Sequence, residues 1–391
     1  MGSAERLRID FLGNRVGGIA RPEDRPAVFV RGALPGEEVL VEYTSSKKSY
    51  SEARIISVEK PSPHRIDPFC PLYGRCGGCS LQHIEYSEEL RWKREWVSKA
   101  LRSLDSPEVE EVIPSPLTRG YRNRVTFDLV EGQLTLHAFR GDPLPVDSCP
   151  LMNGGARKAL SGIDPCSIPE GVSRISARGG EHTGDSALEY FSGGRWIRKG
   201  ELRERLNGLL YEVPAGGFFQ VNTLSAELLV DMVMGMIPPG SGKALDLYGG
   251  AGTFSVPMAL SGIEVDSVEM NREASAACGK AALLNGVSEG GLTAHRSRDR
   301  NFLSEAIRES AKYDVIVTDP PRAGMGIRIT RQLRRIAPEA IIYVSCNPFA
   351  SARDISVLLE GGYRIARVAP VDLFPRTDHV ETVFLLEGKT L

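Results

Sequence analysis

The sequence predicts an α/β protein. Its second half reads as a doubly wound, Rossmann-like sheet, its start as a small β-barrel of OB type, and the stretch between as a mixed α+β segment. Three observations lead there. From residue 216 onward, buried-strand patterns alternate with helical ones. Residues 5 to 60 hold short β-branched runs separated by Gly and Pro. Between them, "DPFCPLYGRCGGCSLQH" gathers Cys70, Cys76 and Cys79 within ten residues of a chain with seven cysteines in all.

The elements follow in order. "RLRIDFLG", "AVFVRGAL", "EEVLVEYTS" and "SEARIISVEK" are strands of the barrel, residues 1–60. "KPSPHRIDPF" is a proline-rich linker into a central domain, residues 61–215. There, "SEELRWKREWVSKALRSL" has helical periodicity over about 87–104, with Leu90, Trp96, Val97, Ala100 and Leu101 on one side. "RNRVTFDLVEGQLTLHAFR" reads as a hairpin turning at Glu131-Gly132. In the last domain, residues 216–391, "KALDLYGG", "IEVDSVEMN", "YDVIVTDPP" and "AIIYVSCNP" are strands. "TFSVPMALSG", "REASAACGKAALLNG" and "IRITRQLRRIA" are the helices between them.

Composition sets limits. With 391 residues, 41% hydrophobic and 25% charged, the chain can bury two or three domain cores. No apolar run approaches the ~18 residues of a membrane span, and no signal-peptide pattern opens the sequence. A soluble, cytoplasmic monomer is expected, with reduced thiols available for metal or catalysis. A net charge of −2 means that any nucleic-acid contact must come from local basic patches.

"LDLYGGAGTF" places Asp246, Gly250 and Gly252 at a strand-to-helix turn, where glycines let backbone approach a ligand. Seventeen residues after Gly252, Glu269 ends the next strand, where a carboxylate can hold two ribose hydroxyls. The D-x-x-x-G-x-G order differs from the dinucleotide G-x-G-x-x-G and looks like that of AdoMet-dependent methyltransferases. "VTDPPRAG" puts Asp319 at the carboxyl edge of the same sheet. "YVSCNP" puts Cys346 there too, among polar neighbours that suit an exposed turn. A thiolate beside a methyl donor has a specific use. It adds to carbon 6 of a uracil and makes carbon 5 nucleophilic, and a base then removes the carbon 5 proton. Glu381 in "HVETVFLLE" is the candidate base.

The ordered segments "AGGFFQVN", "LYGGAGTFSVPMA", "VEMNREA", "DPPRAGM", "YVSCNPFASARD" and "LFPRTDHVETV" resemble the RNA 5-methyluridine methyltransferase family of the RumA/TrmA type. The likeness spans nearly the whole chain. "GNRVGGIAR" and "VRGALPGEEV" are similar to its TRAM domain. The resemblance implies that Cys346 is the nucleophile and Glu381 the proton acceptor. It implies AdoMet contacts from Gln220, Tyr248, Glu269 and Asp319. Thr253 stands where many members have Asn, and Gly249 where many have Cys. An acidic residue is expected after the third strand of the sheet, and "TAHRSRDRNF" offers Asp299.

The C-x5-C-x2-C spacing finds its fourth partner in Cys149, seventy residues after Cys79. Spacing alone leaves zinc and an iron–sulfur cluster both open, since four thiolates bind either. Gly77 and Gly78 expose backbone N–H groups of the kind cluster sulfurs accept. Family members with this spacing hold a [4Fe-4S] cluster, which the resemblance therefore implies for Cys70, Cys76, Cys79 and Cys149.

The resemblance also implies an RNA substrate. The TRAM-like barrel and the cluster point to 23S rRNA, with the tRNA T-loop as the alternative. Arg328, Arg331 and Arg335 on one helical face, with Lys93, Arg94, Arg119, Arg122 and Arg124, are candidate phosphate contacts, and Phe218 is a candidate for stacking on a flipped base. Cytosine-5 methylation is a competing chemistry, which the pairing of "SCNP" with "HVET" disfavours. A non-catalytic iron–sulfur RNA-binding protein is the alternative of another class, which the presence of both Cys346 and Glu381 argues against.

Overall fold

The computed structural model describes residues 4–139, 141–163 and 168–388. The chain forms two compact units, the first comprising residues 1–96, 136–144 and 374–378 and the second the remainder.

In the first unit, β1 (Ala4–Arg8), β2 (Phe11–Gly13), β3 (Gly17–Ala20), β4 (Val28–Arg31), β5 (Glu38–Ser46) and β6 (Ser51–Lys60) form one sheet in the order β1-β5-β6-β4-β3-β2. Only β4 and β6 run parallel. Alternation in "VFVR" sends Val28 and Val30 inward, where they meet Leu7, Ile9, Val39 and Val41. Helix α1 (Tyr86–Leu101) opens with Glu88 and Glu89 and carries Lys99 in its last turn, each sign suited to its end of the helix dipole. Trp92 and Trp96 pack with Leu12, Leu34, Leu81 and Ile84.

The buried stripe of α1 differs from the expected one. Leu90 and Ala100 are only half-buried, whereas Glu89 and Lys93 are fully buried and pair at 2.7 Å. Glu89 also accepts from the backbone N–H of Arg376 (2.8 Å), and Lys93 donates to the Phe374 carbonyl (3.2 Å). Lys93 is therefore committed inside the protein and is not a phosphate contact. Apolar counting missed this face because paired opposite charges satisfy each other there.

The second unit carries two larger sheets. The first is built from β7 (Arg124–Val130), β8 (Gln133–Leu136), β9 (Leu144–Pro145), β10 (Arg174–Gly179), β11 (Ser186–Ser192) and β12 (Arg195–Arg198), in the order β12-β11-β10-β7-β8-β9. Helix α2 (Gly154–Ser161) belongs to the same stretch. The β7–β8 hairpin turns at Glu131 and Gly132, both at positive φ as a type I′ turn requires. A hairpin, β13 (Arg203–Leu206) with β14 (Leu209–Glu212), then leads to helix α3 (Thr223–Gly235).

The second sheet has seven strands. They are β15 (Lys243–Leu247), β16 (Glu264–Glu269), β17 (Leu292–Arg296), β18 (Val315–Thr318), β19 (Ala340–Ser345), β20 (Arg364–Val371) and β21 (Glu381–Glu387). Helices α4 (Ser255–Leu260), α5 (Arg272–Leu284), α6 (Asp299–Arg308), α7 (Ile327–Ile336) and α8 (Pro348–Leu359) connect them. The order is β17-β16-β15-β18-β19-β21-β20. β15 pairs in parallel with β16 on one side and β18 on the other, which makes the topological switch point where open α/β sheets bind ligands. β21 is antiparallel to both neighbours. The core of this sheet includes Leu245, Leu247, Ile316, Ile341, Tyr343 and Phe384.

Candidate active site

The site is built at the carboxyl edge of the seven-stranded sheet. β15 ends at Leu247 and the chain turns through Tyr248, which holds φ +64°, then Gly250 (+55°) and Gly252 (+93°). A Cβ on Gly252 would lie 2.9 Å from the Cys278 sulfur and 3.0 Å from Val256, and one on Gly249 would strike Ser267. Glycine is thus required where this turn rests on α5 and β16. The following helix, α4, is short, starting only at Ser255. Thr253 lies half-buried in the turn.

Asp246 sits beneath the turn, fully buried. Its Oδ2 accepts from the Ser255 hydroxyl, while Oδ1 is buried with no hydrogen-bond partner among the described residues. Burial pushes its pKa up to about 7, and repulsion from Asp319 and Glu269 adds to the shift. Glu269 closes β16 and accepts from the Asn271 N–H (2.6 Å), whose side chain in turn caps α5. Asp299 is the first residue of α6, and Tyr248 donates its hydroxyl to Asp299 Oδ2 at 2.6 Å. The acidic residue sought after the third strand is thereby joined to the glycine turn.

Asp319 follows β18, one strand over, and its N–H donates to the Leu247 carbonyl (3.4 Å). Its carboxyl is pushed up to about 7 by burial. The loop after it, "PPRAGMG", is held by α8. Asp354 accepts from the N–H of Met325 (2.7 Å) and the hydroxyl of Tyr343 (2.9 Å), and Arg353 donates to the Ala323 carbonyl (2.9 Å). Gly324 has φ +77°, and a Cβ there would strike the Asp354 carboxylate. Sequence reasoning did not single out Asp354. An Asp beside Ile355 and Leu358 on an otherwise apolar helix face was the available signal.

Cys346 stands between the end of β19 and Asn347, the N-cap of α8. The turn is pinned from two sides. The Asn347 N–H donates to Ser345 Oγ (3.1 Å), and its side-chain amide donates to the Arg322 carbonyl (3.0 Å). Across the sheet, Ser345 pairs with Thr382. The antiparallel register therefore brings Cys346 level with Glu381, the first residue of β21. Glu381 is 6% exposed. Its carboxyl is pushed well above the ordinary range by burial and by the Asp319 charge. The Cys346 thiol is pushed up to about 12 by burial first and by Glu381 and Asp319 next, against a smaller pull from Arg322. That shift favours the protonated thiol at neutral pH.

Gln220 enters from "AGGFFQVN". It is buried, and its carbonyl accepts from the Asn123 side chain (2.7 Å). Arg124 donates to the carbonyls of Gly216 (3.4 Å) and Gly217 (3.3 Å), so its guanidinium anchors this loop rather than standing free for a phosphate. Phe219 is buried, whereas Phe218 is 70% exposed. On α7, Ile329, Leu333 and Ile336 face inward, while Arg328, Arg331 and Arg335 are exposed.

The segment with Cys70, Cys76 and Cys79 lies in the first unit, and Cys149 lies in the second. Cys70, Cys76 and Cys79 are half-buried. Cys70 donates its N–H to Gln82 Oε1 (3.1 Å), and Gly78 donates its N–H to Cys76 Sγ (3.4 Å). Cys149, also half-buried, opens a turn closed by the Met152 N–H. Among the described residues, no three His, Cys, Asp or Glu side chains form a ligand set for a single metal ion.

Comparisons with known proteins agree in direction. The sequence pattern of the tRNA (uracil-5-)-methyltransferase family matches residues 199–389. A Thermotoga maritima protein described as an uncharacterized RNA methyltransferase is 30% identical, the match covering 98% of this chain and 99% of the relative. A Marinomonas 23S rRNA (uracil(1939)-C(5))-methyltransferase is 28% identical over 100% of this chain and 96% of its own. Among solved structures, the Pyrococcus abyssi tRNA (uracil-54, C5)-methyltransferase bound to S-adenosyl-L-homocysteine is 27% identical. It superposes with a TM-score of 0.79, covering 97% of this chain and 99% of that one.

Proposed function

The chain belongs to the tRNA (uracil-5-)-methyltransferase family, and from that premise we propose how its residues carry out the reaction and on which RNA. It is an AdoMet-dependent enzyme that methylates carbon 5 of uridine in RNA. The observation that supports the assignment of roles is the register of β19 and β21, which sets Cys346 beside Glu381 with Asp319 acting on both.

AdoMet supplies an electrophilic methyl group on a sulfonium. Gln220, Tyr248, Thr253, Glu269 and Asp319 would hold it, and its positive charge would favour the ionised forms of Asp246 and Asp319. Cys346 gives its proton to solvent, its sulfur bonds to carbon 6 of the uracil, and the carbon 5–carbon 6 electron pair moves into an enolate over carbon 5 and the carbon 4 oxygen. Carbon 5, now nucleophilic, takes the methyl group, and the methyl–sulfur bond breaks so that S-adenosylhomocysteine leaves. The Glu381 carboxylate takes the carbon 5 proton, and the sulfur–carbon 6 bond breaks to restore the ring and the thiolate.

The substrate we propose is 23S rRNA. The Marinomonas and Shewanella frigidimarina relatives named for uracil 1939 support this, as do the TRAM-like barrel and the cysteine spacing. A tRNA substrate is the second reading, supported by the Pyrococcus abyssi enzyme. Three domains serve it: an RNA-binding barrel over 1–60, a central domain over 61–215 and the catalytic domain over 216–391. Cys70, Cys76, Cys79 and Cys149 would hold a [4Fe-4S] cluster, with a structural and RNA-positioning role. The N–H of Gly78 on Cys76 Sγ suits a cluster sulfur, whereas the Gly77 N–H, expected to be exposed as well, is taken by the His137 carbonyl (3.0 Å). The enzyme works as a cytoplasmic monomer; among the described residues no helix is long and apolar enough to cross a membrane.

The test is incubation with labelled AdoMet and either RNA. Label should enter uracil carbon 5 of 23S rRNA, and 5-fluorouridine RNA should become trapped on Cys346. Label confined to tRNA would replace the proposed substrate, and label in cytosine would overturn the chemistry.

A further inference from the structure

One face of the β12-β11-β10-β7 sheet is unusually charged. The cross-strand pairs Arg178–Arg124, Arg174–Phe191, Phe191–Trp196 and Glu189–Arg198 place these side chains on the same face. Glu189 is fully buried and faces Arg198 (2.7 Å), Arg178 (3.2 Å) and Arg124 (3.6 Å). Asp128, opposite Arg174, is the only other carboxylate that this register sets on the face. Four guanidiniums thus meet two carboxylates. Burial pushes the Arg178 pKa down to about 9, with Glu189 pulling it back up and Arg124 and Arg198 adding smaller downward pushes.

The open end of the face has a different character. The Arg174 guanidinium lies 3.9 Å from the Phe191 ring centroid and 5.4 Å from that of Trp196, and Arg124 lies 5.2 Å from Trp196. All three of Arg174, Phe191 and Trp196 are half-exposed. Trp196 also rests on Gly216, where any Cβ would strike the indole. The face therefore runs directly into the Gly216–Gly217 turn, and from there to exposed Phe218 and to Gln220.

We propose that this face holds an unpaired stretch of the substrate RNA flanking the target uridine. A base stacks on the ledge formed by Arg174, Phe191 and Trp196, and a neighbouring phosphate meets the half-exposed Arg174 guanidinium. Single-stranded RNA is the occupant because it offers both free base faces and phosphates, whereas a duplex offers phosphates alone. The inference rests on the RNA-methylating activity above and adds where the strand lies.

The experiment compares wild type with Arg174→Gln, Arg174→Lys and Phe191→Ala, each first matched for melting temperature and AdoMet affinity. The probes are an oligouridylate, a duplex of the same length and transcribed 23S rRNA. Phe191→Ala should weaken oligouridylate binding by roughly ten-fold, the effect of losing one base stack. Arg174→Gln should weaken it similarly and lower the slope of log affinity against log salt by about one. Arg174→Lys should keep the slope and lose affinity, since the ammonium retains charge without a planar surface. Duplex binding should change little in Phe191→Ala. Wild-type affinities and salt slopes in all three variants would overturn the inference, as would equal losses for duplex and single strand. Failure of wild type to methylate any RNA would instead overturn the activity on which it rests.

Discussion

Cys346 leaves β19 level with Glu381, the residue at which β21 begins, because Ser345 and Thr382 are partners across the two strands. The nucleophile and the base are 35 positions apart in sequence, and the sheet register alone makes them neighbours. Burial first, and the Glu381 charge next, push the thiol's pKa up and favour its protonated form.

Removing the base should separate the chemical steps. Neither thiolate addition nor methyl transfer needs a base at carbon 5; only the elimination does. Glu381→Ala should cut turnover by ~10²–10⁴ and accumulate protein covalently bound to RNA that already carries the methyl group. Cys346→Ala should give neither product nor adduct. A denaturing gel with labelled AdoMet reads this as a slow band that nuclease collapses. An inactive Glu381 variant without that band would mean the carboxylate acts earlier.

Cofactor binding should expel protons. Burial pushes the carboxyls of Asp246 and Asp319 up to about 7, so both are expected to be partly protonated at pH 6.5. A sulfonium beside them favours the ionised forms and lowers both pKa values. Calorimetry in buffers of different ionisation enthalpy should show net proton release at pH 6.5 that vanishes near pH 9. S-adenosylhomocysteine, whose sulfur is neutral, should release fewer protons. Heats independent of buffer would refute this.

Asp246 should also mark the pH dependence of stability. Its folded pKa, about 7, is raised above the unfolded value. Its contribution is therefore fully present below about pH 4 and lost as pH rises through 7. Asp246→Asn removes that loss. The variant should gain on wild type by up to roughly 1.4 kcal/mol per pH unit between about pH 4 and 7, measured by urea unfolding. A constant difference across that range would show that the carboxyl stays ionised in the fold.

Replacing Arg331 and Arg335 together by Gln should weaken RNA binding and lower the salt slope by up to about two, with AdoMet affinity unchanged. Both are exposed on α7, immediately after the loop that Asp354 holds. An unaltered slope would mean that this helix face meets only solvent.

Protein purified without oxygen should be brown and hold about four irons per chain, and Cys70→Ala or Cys149→Ala should lose the colour. Stoichiometric zinc without iron, under iron-replete anaerobic expression, would replace the cluster by a zinc site.

Much of the catalytic half was legible because each strand of a parallel sheet is a short, continuous apolar run ended by its functional residue. Asp319 and Cys346 announce themselves this way. The pairing of β21 with β19 was not legible, since it joins segments across a helix and another strand. The contact from Tyr248 to Asp299 was hidden for the same reason. The central sheet was opaque because arginines and Glu189 occupy a face that is largely buried, so its strands lack the apolar-polar alternation that marks a half-buried sheet. Glu89 and Lys93 misled in the same way.

The first unit borrows a short segment from near the far end of the chain. Ser80 and Leu81 both donate N–H groups to the Arg376 carbonyl (3.0 Å each), Arg376 donates to the Ile84 carbonyl (2.9 Å), and Asn14 donates to the Asp378 carbonyl (2.7 Å). During synthesis, the barrel and the cysteine loop emerge first, yet these bonds cannot form until residue 378 has left the ribosome. At ~5–20 residues per second, that delay is on the order of tens of seconds. Through it, Glu89 must wait for Arg376 with only nearer neighbours to satisfy it. A stop codon placed anywhere before residue 374 would therefore damage the beginning of the protein as well as its end.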